Sequence, residues 1–165
     1  MAKKNTSKTD KNSQNDVNKA IHAFAGMTRL WWHADVRKVL VGNSTKDLDT
    51  VDVHIIWELS SVGSTRPSTL ATQLGLGAPA ITKRLARLSR LSLTETKPAP
   101  DDGRALLVSL TPQGKKIATQ FQHTARDTFE TVTATWSAEE KEIFITLLTR
   151  YTAGALDFIA TETAE

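Results

Sequence analysis

Hydrophobic residues recur at helical spacing in several parts of the chain. One stripe begins at Val17 and predicts a helix to about Val41, where Gly42-Asn43-Ser44 would end it. A second helix is expected over residues 50–62, with Asp49 as its N-cap. Before these, residues 1–16 are polar with almost no apolar side chains, so we expect a flexible tail there.

Two short helices are predicted next, after an extended connector at residues 64–67. Ser68 or Thr69 can cap the first helix, and Gly75 would end it. The second is expected over about residues 78–89, with Pro79 in its first turn. Its apolar residues repeat at helical spacing and would bury one face: Ile81, Leu85 and Leu88. The other faces would carry Thr82, Lys83, Arg84 and Arg87, so the pair reads as a helix-turn-helix with a basic second helix.

The following segment alternates as a β-hairpin. Strands are predicted at residues 93–97 and 104–110, joined by a turn at residues 98–103 whose prolines would keep it out of regular pairing. Thr111-Pro112 is typical of a helix start and opens a long predicted helix. Ser137 followed by Glu140 matches a capping box and opens a last one.

The predicted fold is therefore mainly α with a small β-wing, a winged helix-turn-helix flanked by N- and C-terminal helices. Four segments are expected: a disordered polar tail (1–16), an N-terminal helix (17–47), the winged helix-turn-helix (48–115) and C-terminal helices (116–165). We expect the flanking helices to serve dimerisation, because they are broadly apolar and bracket the central segment, although ordinary packing within one chain would give the same pattern.

Charge is distributed unevenly along these segments. Residues 64–115 carry eight basic and three acidic side chains, a net charge of +5, whereas residues 116–165 carry four basic and eight acidic ones, a net charge of −4. A basic segment beside an acidic one favours a polyanionic partner that docks on one face. A solvated basic surface is the other interpretation of the charge.

Several classes of protein are disfavoured by what the sequence lacks. It contains no cysteine, which excludes disulfides, thiolate metal sites and cysteine nucleophiles. The four histidines are too scattered for a local metal signature, so no metal or cofactor is expected. No phosphate-binding glycine loop or hydrolase motif occurs, which disfavours an enzyme. The absence of an apolar leader or an unbroken apolar run of membrane-spanning length leads us to expect a cytoplasmic protein without a membrane partner.

Three stretches within residues 53–114 form a combined pattern: Arg66-Pro67-Ser68-Thr69-Leu70-Ala71, Ile81-Thr82-Lys83-Arg84-Leu85 and, above all, the predicted wing. In the wing the chain has Asp102-Gly103-Arg104, an apolar strand and Leu110-Thr111-Pro112-Gln113-Gly114. The pattern resembles the MarR family of bacterial transcriptional regulators, whose wing has Asp-x-Arg followed by Leu-Thr-x-x-Gly. The chain departs from the family at Ser92, which is usually glycine, and at Thr96 and Gly103, which are often basic. Its wing is therefore expected to make fewer phosphate contacts.

The resemblance implies a DNA-binding regulator, with repression the commoner behaviour in similar proteins. The predicted second helix of the motif would enter the major groove of double-stranded DNA, and Arg104 at the wing tip would enter the minor groove. Asp102 would brace the arginines, unless it is simply a turn residue. The residues expected to contact DNA are Arg66, Ser68, Thr82, Lys83, Arg84, Arg87, Lys97 and Arg104.

A homodimer would place two such helices about one DNA turn apart, ~34–36 Å, on a near-palindromic operator. By the same resemblance, a small aromatic or anionic effector would bind near Trp31, His33, Arg37 and His54, although tryptophans at helical spacing also suit a core. The main alternative is a winged helix that binds only protein. Salt-dependent DNA binding would separate the two, because neutralised phosphates release counterions.

Overall fold

The computed structural model describes residues 6–32, 48–100 and 102–162, with side chains described for residues 13–29, 48–100 and 105–162. The elements in these ranges are α1 (Thr6–Trp32), α2 (Thr50–Val62), β1 (Ser64–Thr65), α3 (Pro67–Gln73), α4 (Ala78–Arg90), β2 (Thr94–Ala99), β3 (Asp102–Leu110), α5 (Pro112–Val132) and α6 (Ala138–Glu162). The chain divides into two compact units, Met1–Thr124 and Ala125–Glu165. The fold is mostly helical with a small antiparallel sheet, as the sequence predicts.

Helix α1 begins much earlier than the hydrophobic pattern predicts. It starts at Thr6, so the expected flexible tail is wrong for residues 6–16. These residues include neither glycine nor proline, and extending an existing helix costs far less than starting one. Lys19 Nζ also pairs with Asp16 Oδ1 at 3.0 Å. The predicted end of this helix near Gly42 lies outside the described residues.

Helix α2 starts where the sequence predicts. Asp49 is its N-cap, and its side chain accepts a hydrogen bond from the backbone N–H of Asp52 at 3.0 Å. In return, the Asp52 carboxylate accepts one from the Asp49 N–H at 3.2 Å, which completes a capping box. The capping box fixes two carboxylates side by side at the start of the helix.

Helix α3 starts at Pro67, with Arg66 as its N-cap and no side-chain capping bond. The expectation of a Ser68 or Thr69 cap is therefore wrong. Proline has a fixed φ and no N–H, which suits the first helical position and moves the start ahead of both hydroxyls.

The three strands form one antiparallel sheet in the order β1-β3-β2. The extended connector is β1, which pairs Thr65 with Val108. The hairpin is tighter than predicted, because β2 runs to Ala99 and β3 begins at Asp102. Pro98 lies opposite Leu106, and the register shifts directly after it. A proline lacks the ladder N–H and is tolerated at such an irregularity, so the expectation that it stays out of the pairing is wrong.

The first unit contains the hydrophobic core. Its buried residues come from α2, α3, α4, the sheet, α5 and the short segments just before α2 and β2: Leu48, Val53, Ile55, Ile56, Leu59, Leu70, Ala71, Ile81, Leu88, Leu93, Val108, Leu110, Ala118 and Phe121. Together these elements hold the helix-turn-helix and the base of the hairpin on one core.

The junction between α4, the wing and α5 depends on a few close contacts. Ser92 leaves α4 with φ +58°, in the left-handed region. The Thr111 hydroxyl donates to the Ser92 carbonyl at 2.6 Å and accepts from the Gly114 N–H at 3.0 Å. A Cβ on Gly114 would lie 2.0 Å from the Leu93 carbonyl oxygen, so the backbone approaches here as only glycine allows. This contact explains the last glycine of the Leu-Thr-x-x-Gly pattern.

The second unit pairs the end of α5 with α6. The predicted capping box opens α6, with the Glu140 N–H donating to Ser137 Oγ at 3.1 Å and the Ser137 N–H to Glu140 Oε2 at 2.7 Å. Phe144 packs against Phe129 and Trp136, with ring centroids 6.4 and 5.2 Å apart. Within the described residues, α6 is also the one helix that is long and apolar enough to cross a membrane, by length and composition alone. The expectation that the protein has no membrane partner therefore stays a prediction.

Candidate nucleic-acid interface

Helix α4 is held to the core by its apolar underside. Pro79 lies in the first turn, as the sequence predicts, and Gly77 is the N-cap. Ile81 and Leu88 are buried, and Leu85 packs partly against the core. With these three residues facing inward, the opposite side of the helix faces solvent along its whole length.

The outward face of α4 carries small and basic side chains. Thr82, Lys83, Ala86 and Arg90 are all exposed, and the Thr82 hydroxyl donates to the Ala78 carbonyl at 2.8 Å. Neither Lys83 nor Arg90 forms an ion pair with any residue that the structure describes. Thr82 and Lys83 lie where the sequence predicts. Arg90 was not among the predicted residues, although its position seven residues after Lys83, two helical turns, could have indicated it.

Arg84 and Arg87 lie elsewhere, half-buried against the start of α2. Arg84 Nη1 pairs with Asp49 Oδ2 and lies 3.4 Å from Asp52 Oδ1. Arg87 Nη1 pairs with Asp52 Oδ2 and lies 3.7 Å from Asp49 Oδ2. The sequence predicts these arginines as exposed beside Lys83, whereas the structure brings them to a pair of carboxylates. We call these four residues the carboxylate clamp.

The contacts within the clamp shift the pKa values of Asp49, Asp52 and Arg84. Burial acts to raise the pKa of Asp49, but hydrogen bonds from Arg84 and from the Asp52 backbone, with the Arg84 charge, lower that pKa below 3.8. Burial raises the pKa of Asp52, helped by the neighbouring Asp49 charge and opposed by the capping hydrogen bond and both arginines. The hydrogen bond to Asp49 raises the pKa of Arg84. Asp49 therefore holds its charge more firmly than Asp52, whose side chain is fully buried.

Arg66 and Ser68 are exposed at the start of α3, where the first backbone N–H groups lack helical partners. In the wing, Lys97 is exposed, and its Nζ lies 2.8 Å from Glu95 Oε1. Asp102 and Arg104 belong to β3, but their side chains lie outside the described residues. The residues predicted to contact DNA thus come from four successive elements of the winged helix, α3, α4, β2 and β3.

The residues predicted for an effector are not brought together in the described part of the chain. His54 is exposed on α2. Trp31 lies near the end of α1 with its side chain undescribed, and His33 and Arg37 lie outside the described residues. A separate open cavity of about 430 Å³ lies between the end of α2, the sheet and α5, with Ser60, Glu95, Lys115 and Gln122 in its lining. The sequence pattern gave no signal for it, because its walls come from distant segments.

Comparisons with known proteins agree with this geometry. Residues 48–114 match the family model described as a winged helix DNA-binding domain. The multiple antibiotic resistance protein MarR of Salmonella typhimurium is 30% identical over 98 residues, which cover 59% of this chain and 68% of that protein. The HTH-type transcriptional repressor IacR of Pseudomonas putida is 30% identical over 84 residues, which cover 51% of this chain and 50% of that protein.

Among solved structures, the crystal structure of Streptococcus pneumoniae FabT in complex with DNA superposes with a TM-score of 0.70. The match covers 88% of this chain and 99% of that chain at 19% identity, so it concerns the fold alone. The likeness to MarR extends over two thirds of that protein, which is enough to identify the family of this chain. The chain belongs to the MarR family of winged-helix DNA-binding transcriptional regulators.

Proposed function

We propose that this protein is a sequence-specific regulator that binds a near-palindromic double-stranded operator as a homodimer and represses transcription until an effector binds. The observation that carries the proposal is the outward face of α4, where Thr82, Lys83, Ala86 and Arg90 are exposed on a helix anchored by Ile81 and Leu88. The major groove accepts one α-helix, and small side chains between two cations let the helix backbone approach the bases closely.

Phosphate contacts would come from the elements beside α4. Arg66 and Ser68 at the start of α3 and Lys97 in β2 are exposed and suited to the DNA backbone. Arg104 is proposed for the minor groove and Asp102 as its brace, on the wing pattern of the family. These contacts would fix the register in which α4 meets the bases.

The proposed homodimer rests on apolar side chains that one chain leaves in solvent. Val17, Ile21 and Phe24 form a stripe on α1, with 50%, 59% and 43% of their surface exposed. On α6, Leu156 and Phe158 are 63% and 64% exposed. Such surfaces favour association, and two-fold symmetry would set two α4 helices against successive major grooves.

A membrane is the competing partner for α6, but its surface favours the dimer. Arg150 and Asp157 lie within the helix, and Glu139, Glu140 and Glu142 follow one another near its start. Charges inside a membrane span are expensive, whereas the rim of a protein interface accepts them. We propose a cytoplasmic location, because a transcriptional regulator needs access to the bacterial chromosome.

We propose repression and effector binding because of the likeness of this chain to members of its family. IacR, a relative over half its length, carries the name of a repressor. A small aromatic or anionic effector is proposed at Trp31, His33, Arg37 and His54, of which the exposed imidazole of His54 is the described member. Effector binding there would be detected as quenching of tryptophan fluorescence by benzoate-like acids, with His54→Ala as the variant that weakens it.

DNA binding is tested by selecting duplexes from a random library and titrating the best one by fluorescence anisotropy at several salt concentrations. We expect an inverted repeat to be selected and affinity to fall steeply with salt. Arg104→Ala should weaken specific binding by ~1–3 kcal/mol without lowering the melting temperature. A protein that binds no duplex at low salt would instead be a winged helix that contacts only protein.

The oligomeric state is tested separately by sedimentation equilibrium at micromolar concentration. We expect the mass of two chains, with Ile21→Glu and Phe158→Glu shifting the protein toward the monomer. A monomeric wild-type protein would overturn the dimer while leaving the DNA-binding face of a single chain intact.

A further inference from the structure

We propose that Asp49 and Asp52 act as internal counter-ions that withhold Arg84 and Arg87 from DNA, so that Lys83 and Arg90 are the cations with which α4 contacts the duplex. The inference deepens the DNA-binding function proposed above and rests on it. It assigns a positioning role to two acidic residues outside the helix-turn-helix, and it divides four cations of one helix into two pairs with different tasks.

The contacts of the four cationic side chains of α4 divide them into two pairs. Lys83 and Arg90 are two turns apart and lie on the exposed side with Ala86. Arg84 and Arg87 lie three residues apart on the side that turns toward α2, where their side chains are 31% and 33% exposed. The ion pairs rather than the helical spacing separate the two pairs: Arg87 is only about 40° around the helix from Lys83, yet its guanidinium is turned to the carboxylates of α2.

The two carboxylates are held in place independently of the arginines. The capping box of α2 fixes each of them to the backbone N–H of the other residue. Both also lie at the N-terminus of α2, where the helix dipole favours negative charge. The clamp is therefore already formed by α2, and the arginines of α4 dock onto it.

Withdrawing the arginines toward phosphate would be unfavourable for two reasons. Asp52 is fully buried, so loss of Arg87 and Arg84 would leave an uncompensated carboxylate in the protein. Phosphates that followed the arginines toward α2 would also approach Asp49, whose side chain is 39% exposed and negatively charged. Lys83 and Arg90 carry no such cost, since no described residue pairs with them.

The experiment removes one charge at a time from the same helix. Lys83→Gln, Arg90→Gln, Arg84→Gln and Arg87→Gln are matched variants, and each is titrated against the selected operator over a range of salt concentrations. Each cation that neutralises a phosphate contributes ~0.9 to the slope of log affinity against log salt. We expect the first two variants to lose about one unit of slope and roughly tenfold in affinity.

Arg84→Gln and Arg87→Gln should lower the melting temperature, which circular dichroism measures. Below the melting transition, the folded variants should keep the wild-type slope of log affinity against log salt. A second variant keeps the test decisive if these two do not fold. Asp49→Asn releases Arg84 from its main partner, and we expect it to bind non-specific duplex more tightly, with a steeper salt slope. Loss of one negative charge raises affinity for DNA by itself, so the steeper slope, which reports an added cation on phosphate, is the readout that a purely structural role for Asp49 would not give.

The outcomes separate this inference from the proposed function. If folded Arg84→Gln or Arg87→Gln loses as much slope as Lys83→Gln, the clamp does not withhold the arginines and the inference is overturned, while DNA binding stands. If Asp49→Asn leaves non-specific binding and its slope unchanged, the inference is also overturned. If wild-type protein binds no duplex, the proposed function fails and the inference falls with it.

Discussion

The two units of the chain differ in how far they bury their apolar side chains. In the first unit, α2, α4 and the sheet bury residues such as Ile55, Leu88 and Val108 completely. In the second unit, α6 has no buried residue at all, and its large side chains are mostly in solvent. The winged helix thus completes its core within one chain, whereas α6 keeps an apolar surface that another surface would have to cover.

The largest expected effect comes from truncating a leucine in each unit. Leu59 is 1% exposed, so Leu59→Ala should lower the free energy of unfolding by ~2–5 kcal/mol through lost burial and a cavity. Leu156 is 63% exposed, and Leu156→Ala should change the unfolding free energy of a single chain by less than about 0.5 kcal/mol. Urea unfolding at two protein concentrations measures both.

The concentration dependence sharpens this comparison. If α6 packs against a second copy, the cost of Leu156→Ala should grow with protein concentration, whereas that of Leu59→Ala should not. A concentration-independent cost for Leu156→Ala as large as that for Leu59→Ala would show that α6 is packed within its own chain.

Two glycines provide a smaller test of the same contrast. In the first unit, a Cβ on Gly114 would collide with the Leu93 carbonyl, so Gly114→Ala should destabilise the fold by ~1–3 kcal/mol. In the second unit, Gly154 lies inside α6 with nothing within 4 Å, and Gly154→Ala should stabilise the helix by ~0.5–1 kcal/mol. Thermal unfolding of the two variants checks the signs. Destabilisation by Gly154→Ala would indicate that a partner helix approaches closely there.

The smallest effect concerns acid stability in the first unit. The folded-state pKa of Asp49 lies below 3.8, so this group contributes stability that is present above pH 3.8 and lost as the pH falls through the folded value. Because the pair is partly exposed, we expect less than ~1 kcal/mol. Asp49→Asn should lose this pH dependence, measured as melting temperature from pH 5 to pH 2.5, with Glu142→Gln, an exposed position in the second unit, as the control. Parallel curves for wild type and Asp49→Asn would contradict the assignment.

Local patterns predicted most of the winged helix because they depend on nearby residues. The Gly77–Pro79 start of α4, its buried Ile81 and Leu88, and the Asp49 and Ser137 caps are all set by spacings of a few residues. The ends of the hairpin could not be predicted from hydrophobicity, because the pairing of the strands decides that Pro98 lies within β2. The start of α1 could not be predicted either, because the helix extends through polar residues.

The carboxylate clamp could not be predicted for a different reason. Helical spacing indicates which residues of α4 face inward, but the partners of Arg84 and Arg87 are more than thirty positions earlier in the chain. The sequence predicts Asp49 as a cap, and Asp52 shares its capping box, yet nothing in the local sequence links this helix cap to α4. That link exists only once α2 and α4 pack on a common core.

The turn at Ser92 has a mechanical consequence for the wing. A left-handed backbone, such as that of Ser92, costs a residue with a side chain ~1–2 kcal/mol. Here the Thr111 hydroxyl donates a hydrogen bond to the Ser92 carbonyl, which holds the backbone of Ser92 in that conformation. Together with the backbone hydrogen bonds from the Leu93 N–H to the Leu88 carbonyl and from the Thr111 N–H to the Leu93 carbonyl, it fixes the angle at which the hairpin leaves α4.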